Sequence, residues 1–142
     1  MESNKKEEIT IQTTVKAPLE KVWRHWTEPT HIQNWNFASD NWHTTSAQND
    51  LRVGGKFLSR MEAKDASFGF DFGGTYDEVR MQECIAYTLD DGRKVKTIFL
   101  SKEDEIQIIT QFEAENTHTI QQQQQGWKAI LDNFKKYTEA AL

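Results

Sequence analysis

Asn116–Tyr137 reads NTHTIQQQQQGWKAILDNFKKY, and its periodicity decides the fold. Ile120, Gln123 or Gln124, Trp127, Ile130, Leu131, Phe134 and Tyr137 recur at steps of three and four, the pattern of a helix with one apolar face. The glutamine run, Gln121 to Gln125, does not oppose this, because glutamine is a good helix former. Thr119 followed by Gln122 fits a capping box, with Asn116 as the other candidate cap. Gly126 costs ~1 kcal/mol relative to alanine inside a helix, and its expected use is a close approach to a strand.

Outward from this helix, the preceding sequence is mostly strand-like. Ile9, Ile11, Thr13 and Val15 alternate with polar residues and read as a half-buried strand. Ala17-Pro18 stops it, and Leu19, Val22, Trp23 and Trp26 then form the stripe of a short helix. Glu28-Pro29 breaks that helix and starts a second one through His31, Ile32 and Trp35. A less regular stretch, Asn36–Asn49, holds a short strand around Trp42–Ala47. Lys56–Ala63 and the alternating Phe68, Phe70 and Phe72 read as a hairpin, with a bulge or sharp bend expected at Gly73-Gly74 before the strand resumes at Thr75–Arg80. Cys84–Leu89 and Lys94–Leu100 flank an Asp90-Asp91-Gly92 turn, and Ile106–Glu113 is the last strand. The order is strand, two short helices, about six antiparallel strands, and a long helix, in a chain of single-domain length with its core at about residues 9–138.

Composition narrows the function classes. The 142 residues carry 17 basic and 22 acidic side chains, a formal charge of −5, spread along the chain. No basic face suits nucleic acid or an anionic membrane. No apolar run approaches a membrane span, MESNKKEEIT lacks the apolar core of an export signal, and the lone cysteine, Cys84, excludes an internal disulfide framework. A cytoplasmic location is expected. Five tryptophans and eight phenylalanines in a chain only 37% hydrophobic are the unusual feature, and they serve either a core or a pocket wall.

Chemistry-bearing residues are sparse. His25, His31, His43 and His118 lack metal-ligand spacing, so neither a metal nor another cofactor is expected. His25 is expected at the solvent or the helix end, and His118, at the start of the long helix, in a neutral hydrogen-bonding role. Asp71 falls opposite Phe70 and Phe72 and therefore outside, and Cys84 reads as a core residue. His31, His43 and Gln123 are the polar candidates for a pocket wall, because an aromatic site uses a few placed polar groups for orientation.

Several stretches together carry a family likeness. Val15-Lys-Ala-Pro-Leu-Glu-Lys-Val-Trp23, Trp26-Thr-Glu-Pro29, Ile32–Trp35, Leu51-Arg-Val-Gly-Gly-Lys-Phe57, Gly74-Thr-Tyr76, Ile85-Ala-Tyr-Thr88, Asp91-Gly-Arg93 and Gly126-Trp-Lys-Ala-Ile-Leu131 run in family order. The chain resembles the activator-of-heat-shock-chaperone-ATPase-like proteins, of the kind that form the C-terminal domain of such activators, within the START and birch-pollen-allergen (SRPBCC) superfamily. The resemblance implies an α+β helix-grip fold: a curved antiparallel sheet of six to seven strands around a long C-terminal helix, with an apolar cavity between them. The expected cavity lining is Trp35, Phe37, Trp42, Phe57, Met61, Phe68, Phe70, Tyr76, Phe99, Phe112, Trp127 and Ile130. The expected partner is a small hydrophobic or aromatic molecule. A cyclase- or hydrolase-like enzyme using the same cavity is the first alternative, and a protein-interaction module, as a homodimer or with a chaperone, is the second.

Overall fold

The computed structural model describes residues 7–140. Its strands are β1 (Glu8–Val15), β2 (Trp42–Asn49), β3 (Lys56–Ala63), β4 (Gly69–Arg80), β5 (Cys84–Leu89), β6 (Lys94–Lys102) and β7 (Glu105–Glu113). The helices are α1 (Leu19–Thr27), α2 (Pro29–Ile32) and α3 (Ile120–Ala140). All seven strands join one curved antiparallel sheet in the order β1-β7-β6-β5-β4-β3-β2, which wraps α3. Strands β2 to β7 form a meander, and β1 closes onto β7. Neighbours in sequence, β1 and β2 thus lie on opposite edges, and α1 and α2 make the crossing between them.

Local chemistry sets the helix boundaries. The residue before a proline is pushed out of the helical region, and Glu28, before Pro29, is extended at φ −83°, ψ 128°, so α1 ends there and α2 starts with proline in its first turn. At α3 the expected capping box forms: the Gln122 N–H donates to Thr119 Oγ1 and the Thr119 N–H to Gln122 Oε1, both at 3.0 Å. The helix is tied lengthwise to β1: Gln124 Nε2 donates to the Thr10 carbonyl at 3.3 Å, Lys135 Nζ to the Thr14 carbonyl, and the Lys16 N–H to Glu139 Oε2 at 2.8 Å.

Transverse rows of side chains line the concave face. One runs Ile9, Phe112, Val95, Tyr87, Tyr76, and the next Ile11, Thr110, Thr97, Ile85, Val79. Phe134, Leu131, Ile108, Val15 and Val22 are almost fully buried in the core beside them.

Three expectations are corrected. Strand β4 runs through Gly73-Gly74 without a break, and its register shifts at Tyr76/Glu78 instead, with a second irregularity at Thr44/Ser46 of β2. The glycines answer a different demand: a Cβ on Gly74 would lie 2.5 Å from the Thr88 carbonyl oxygen and 3.1 Å from Phe57 Cε2, and one on Gly73 2.9 Å from the Phe57 carbonyl oxygen. Gly126 makes no close approach, since a Cβ there would have nothing within 4 Å. His25 is neither at solvent nor at a frayed end; it is 2% exposed. Its ring stacks on His31 at 4.1 Å between centroids, with Nδ1 3.2 Å from Thr138 Oγ1. Burial, helped by the nearby positive charges of Lys21 and Arg24 and by His31, pushes its pKa down to about 4. Elsewhere the outcome follows the sequence. Asp71 is exposed and pairs with Arg60 at 3.3 Å, and Cys84 is buried, its thiol pKa raised first by that burial. His118 hydrogen-bonds as expected, Nδ1 to Glu115 Oε2 at 2.9 Å, but its partner is a carboxylate, which does not single out the neutral form.

Candidate functional site

Because α3 lies along β1, it covers only one side of the concave face. The rest of the sheet curls round and leaves a cavity of about 310 Å³ between β3, β4, β5 and the helix. Its walls come from every layer. Phe57, Ser59 and Met61 alternate inward from β3; Phe70, Phe72 and Tyr76 come from β4, and Ile85 and Tyr87 from β5. Trp127, Ile130 and Leu131 face it from α3, and Trp26, Ile32, Trp35 and Asn36 close the end made by the short helices. The rings support one another: Phe57 packs on Tyr87 at 4.7 Å, Tyr76 at 5.3 Å and Phe72 at 6.0 Å, and Trp26 tilts against Trp35 at 5.1 Å.

Polar groups are few and mostly committed. The Tyr76 hydroxyl donates to Asn49 Oδ1 at 2.5 Å, while Asn49 Nδ2 donates to the Thr27 carbonyl at 2.6 Å. Thr97 and Thr110, paired across β6 and β7, share a hydrogen bond of 2.8 Å on the buried floor. Asn36 Nδ2 donates to Ser59 Oγ at 3.3 Å. Gln48 and Arg93 complete the polar lining. Burial raises the pKa of both phenols, Tyr76 and Tyr87. Among the described residues no carboxylate, histidine or thiol lines the cavity. Among the described residues no group of three or more His, Cys, Asp or Glu side chains is arranged for a metal ion.

Of the residues expected at the wall, Trp35, Phe57, Met61, Phe70, Tyr76, Trp127 and Ile130 are there. The others lie elsewhere, for identifiable reasons. Phe99 has the correct strand phase but is roofed by Trp23 and Trp26 at 5.4 and 5.5 Å, and Phe112 is covered by the indole of Trp127, stacked at 3.9 Å. Phe68 lies beyond the last β3–β4 pair and is 63% exposed, while Trp42 packs on it and on Phe70 outside the wall. Phe37 follows a tight turn, its N–H on the Trp35 carbonyl at 2.8 Å, and does not reach the cavity. None of the three polar candidates lines it either. His43 sits between the inward Trp42 and Thr44 and so faces out, and His31 turns to α3, its Nδ1 2.6 Å from the Tyr137 hydroxyl. Gln123 is buried but fully engaged: Oε1 accepts from the Glu115 N–H at 2.9 Å, and Nε2 donates to the Glu115 and His118 carbonyls at 3.1 and 2.9 Å. It fastens the β7–α3 connection. Tyr87, Arg93 and Thr97 also line the cavity: the alternation of β5 and β6, continued across the Asp90-Asp91-Gly92 turn, puts them on the face of Ile85 and Phe99.

A curved antiparallel sheet closed on a C-terminal helix, with a ring-lined cavity between them, is the helix-grip class, whose architecture suits an enclosed ligand. The family of activator of Hsp90 ATPase homolog 1-like proteins matches residues 16–139, and the chain belongs to it. The solution structure of an AHSA1-like protein from Aeromonas hydrophila is similar with a TM-score of 0.90 and 45% identity, over 95% of this chain and 94% of that one. The solution structure of Chr148 from Cytophaga hutchinsonii gives a TM-score of 0.82 and 50% identity over 94% and 92%. CV1439 from Chromobacterium violaceum shares the fold at 21% identity and a TM-score of 0.84, over 93% and 96%. No curated protein matches. Among the described residues no helix is long and apolar enough to cross a membrane.

Proposed function

We propose that the chain binds a small hydrophobic, ring-containing or aliphatic molecule in the cavity between its sheet and α3. The observation that carries this reading is the cavity itself: about 310 Å³, walled by aromatic and aliphatic side chains from both sheet and helix. Driving force comes from apolar burial, at roughly 25 cal/mol per Å². Membership of a family with this fold supports the reading, and a lining whose described residues include no histidine, carboxylate or thiol favours binding over acid–base catalysis.

The test is a titration of the purified protein with fatty acids, flavonoid-like aromatics and sterols. It is read by tryptophan fluorescence, with Trp26, Trp35 and Trp127 in the wall, and by thermal shift in parallel. Saturable quenching with a raised melting temperature is expected, since a ligand that binds only the folded state stabilises it. Absence of both across the panel refutes the reading.

A further inference from the structure

The cavity has one charged wall residue among those described, and its position is unusual. Arg93 ends the β5–β6 turn opposite Leu89, whose N–H donates to the Arg93 carbonyl at 2.8 Å. Leu89, Tyr87 and Ile85 on one strand, and Val95, Thr97 and Phe99 on the other, all point inward, so strand phase sends Arg93 inward as well. Its side chain is only 15% exposed. Withdrawing a guanidinium from water is costly unless its donors are met.

Part of that demand is met within the protein, and the rest opens onto the cavity, since among the described residues no fully buried side-chain nitrogen or oxygen lacks a partner. Nε donates to Asp91 Oδ2 at 2.9 Å, which fixes the plane of the fork. The two terminal amines have no hydrogen-bond partner among the described residues, and neither does the hydroxyl of Tyr87, which lines the same cavity. On the β5–β6 ladder the two residues are diagonal on the inward face: Tyr87 pairs with Val95, two residues from Arg93, and Arg93 lies opposite Leu89, two residues from Tyr87. Around them stand Phe57, against the Tyr87 ring, and Phe72, whose ring meets Trp127 edge-on at 6.1 Å. The cavity is therefore amphipathic: a largely apolar wall that also carries the N–H donors of Arg93 and the O–H of Tyr87.

Resting on the cavity reading above, we infer that the ligand is a hydrophobic carboxylic acid whose carboxylate is received by the Arg93 guanidinium and the Tyr87 hydroxyl. A planar fork beside a phenol matches the two oxygens of a carboxylate. Asp91 already answers part of the arginine charge, which favours a monoanion over a phosphate dianion. The apolar chain or ring of the acid then lies among Phe57, Phe72 and Trp127.

The test is a matched pair of probes, decanoate and 1-decanol, titrated at pH 7.5 into the wild type, Arg93→Gln and Tyr87→Phe, with circular dichroism and melting temperature confirming each fold. The wild type is expected to prefer decanoate by about tenfold or more, Arg93→Gln to bring the two within about twofold, and Tyr87→Phe to reduce the preference about threefold, with decanol affinity unchanged throughout. Equal wild-type affinity for both probes, or a preference untouched by the substitutions, overturns the head-group assignment while leaving the apolar cavity standing. Saturable binding of neither probe overturns this inference; the cavity reading falls with it only if the aromatics and sterols of the panel above also fail to bind. Should Arg93→Gln fail to fold for loss of the Asp91 bond, Tyr87→Phe, which keeps the ring packed on Phe57, decides the matter alone.

Discussion

Acidification should destabilise this protein well before its carboxylates protonate, and His25 is the reason. The ring is 2% exposed, lies 4.1 Å from His31, and has Lys21 and Arg24 nearby, so its pKa falls from 6.5 to about 4. A base whose pKa is lower in the folded state binds its proton more readily when unfolded. Stability is therefore fully present above pH 6.5 and is lost as pH falls toward 4. The full window of 2.5 units corresponds to about 3 kcal/mol, of which about 2 kcal/mol is gone by pH 5. Asp65, Glu115 and Glu139, whose pKa values are lowered by hydrogen bonds, contribute stability that is lost below the ordinary carboxylate range, so pH 5 keeps their effect small. Urea unfolding followed by tryptophan fluorescence at pH 8 and pH 5 measures the loss. His25→Asn, whose amide can donate or accept toward Thr138 but cannot gain a proton, should be less stable at pH 8 yet lose less than about 0.5 kcal/mol between the two pH values. An equal fall in wild type and variant would refute the reasoning.

The glycines give predictions of opposite sign. Gly126→Ala should stabilise the protein by about 0.5–1 kcal/mol in chemical denaturation, because the new methyl meets nothing and α3 gains propensity. Gly74→Ala should cost more than about 2 kcal/mol or abolish soluble expression, since its Cβ would collide with the Thr88 carbonyl 2.5 Å away. Gln123→Ala leaves the Glu115 N–H and two carbonyls without their partner and should cost about 2–3 kcal/mol in the same assay. A value under about 0.5 kcal/mol would show that water replaces the amide.

Legibility in the sequence followed the strength of the local rule. The capping box at Thr119 and Gln122, the proline stop at Glu28-Pro29 and the Asp90-Asp91-Gly92 turn each rest on chemistry within a few residues, and each is present. Strand phase held in the same way: Phe57 and Met61 do face inward, and Asp71 does face out. Gly73-Gly74 shows the limit of such rules. A glycine pair marks either a bend or a close approach, and only the neighbouring strands, here the Thr88 and Phe57 carbonyls, decide which. His25 shows the same limit on a helix, because its burial depends on Thr138 and His31 arriving from two other elements.

The cavity lining divided along a different line. Alternation says which residues face the helix side of the sheet, and it placed Phe57, Phe99 and Phe112 there alike. What separates wall from core is where α3 and α1 come down: Trp127 lies on Phe112 and Trp23 on Phe99, so those rings are covered, whereas no helix covers Phe57. The position of α3 over β1 follows from contacts such as Gln124 to Thr10 and Lys135 to Thr14, more than a hundred residues apart in sequence. Helix placement therefore creates the cavity by leaving β3, β4 and β5 uncovered. That division also places Arg93 and Tyr87 on the wall, since they belong to the uncovered half, where side-chain donors face the open cavity instead of a covering helix.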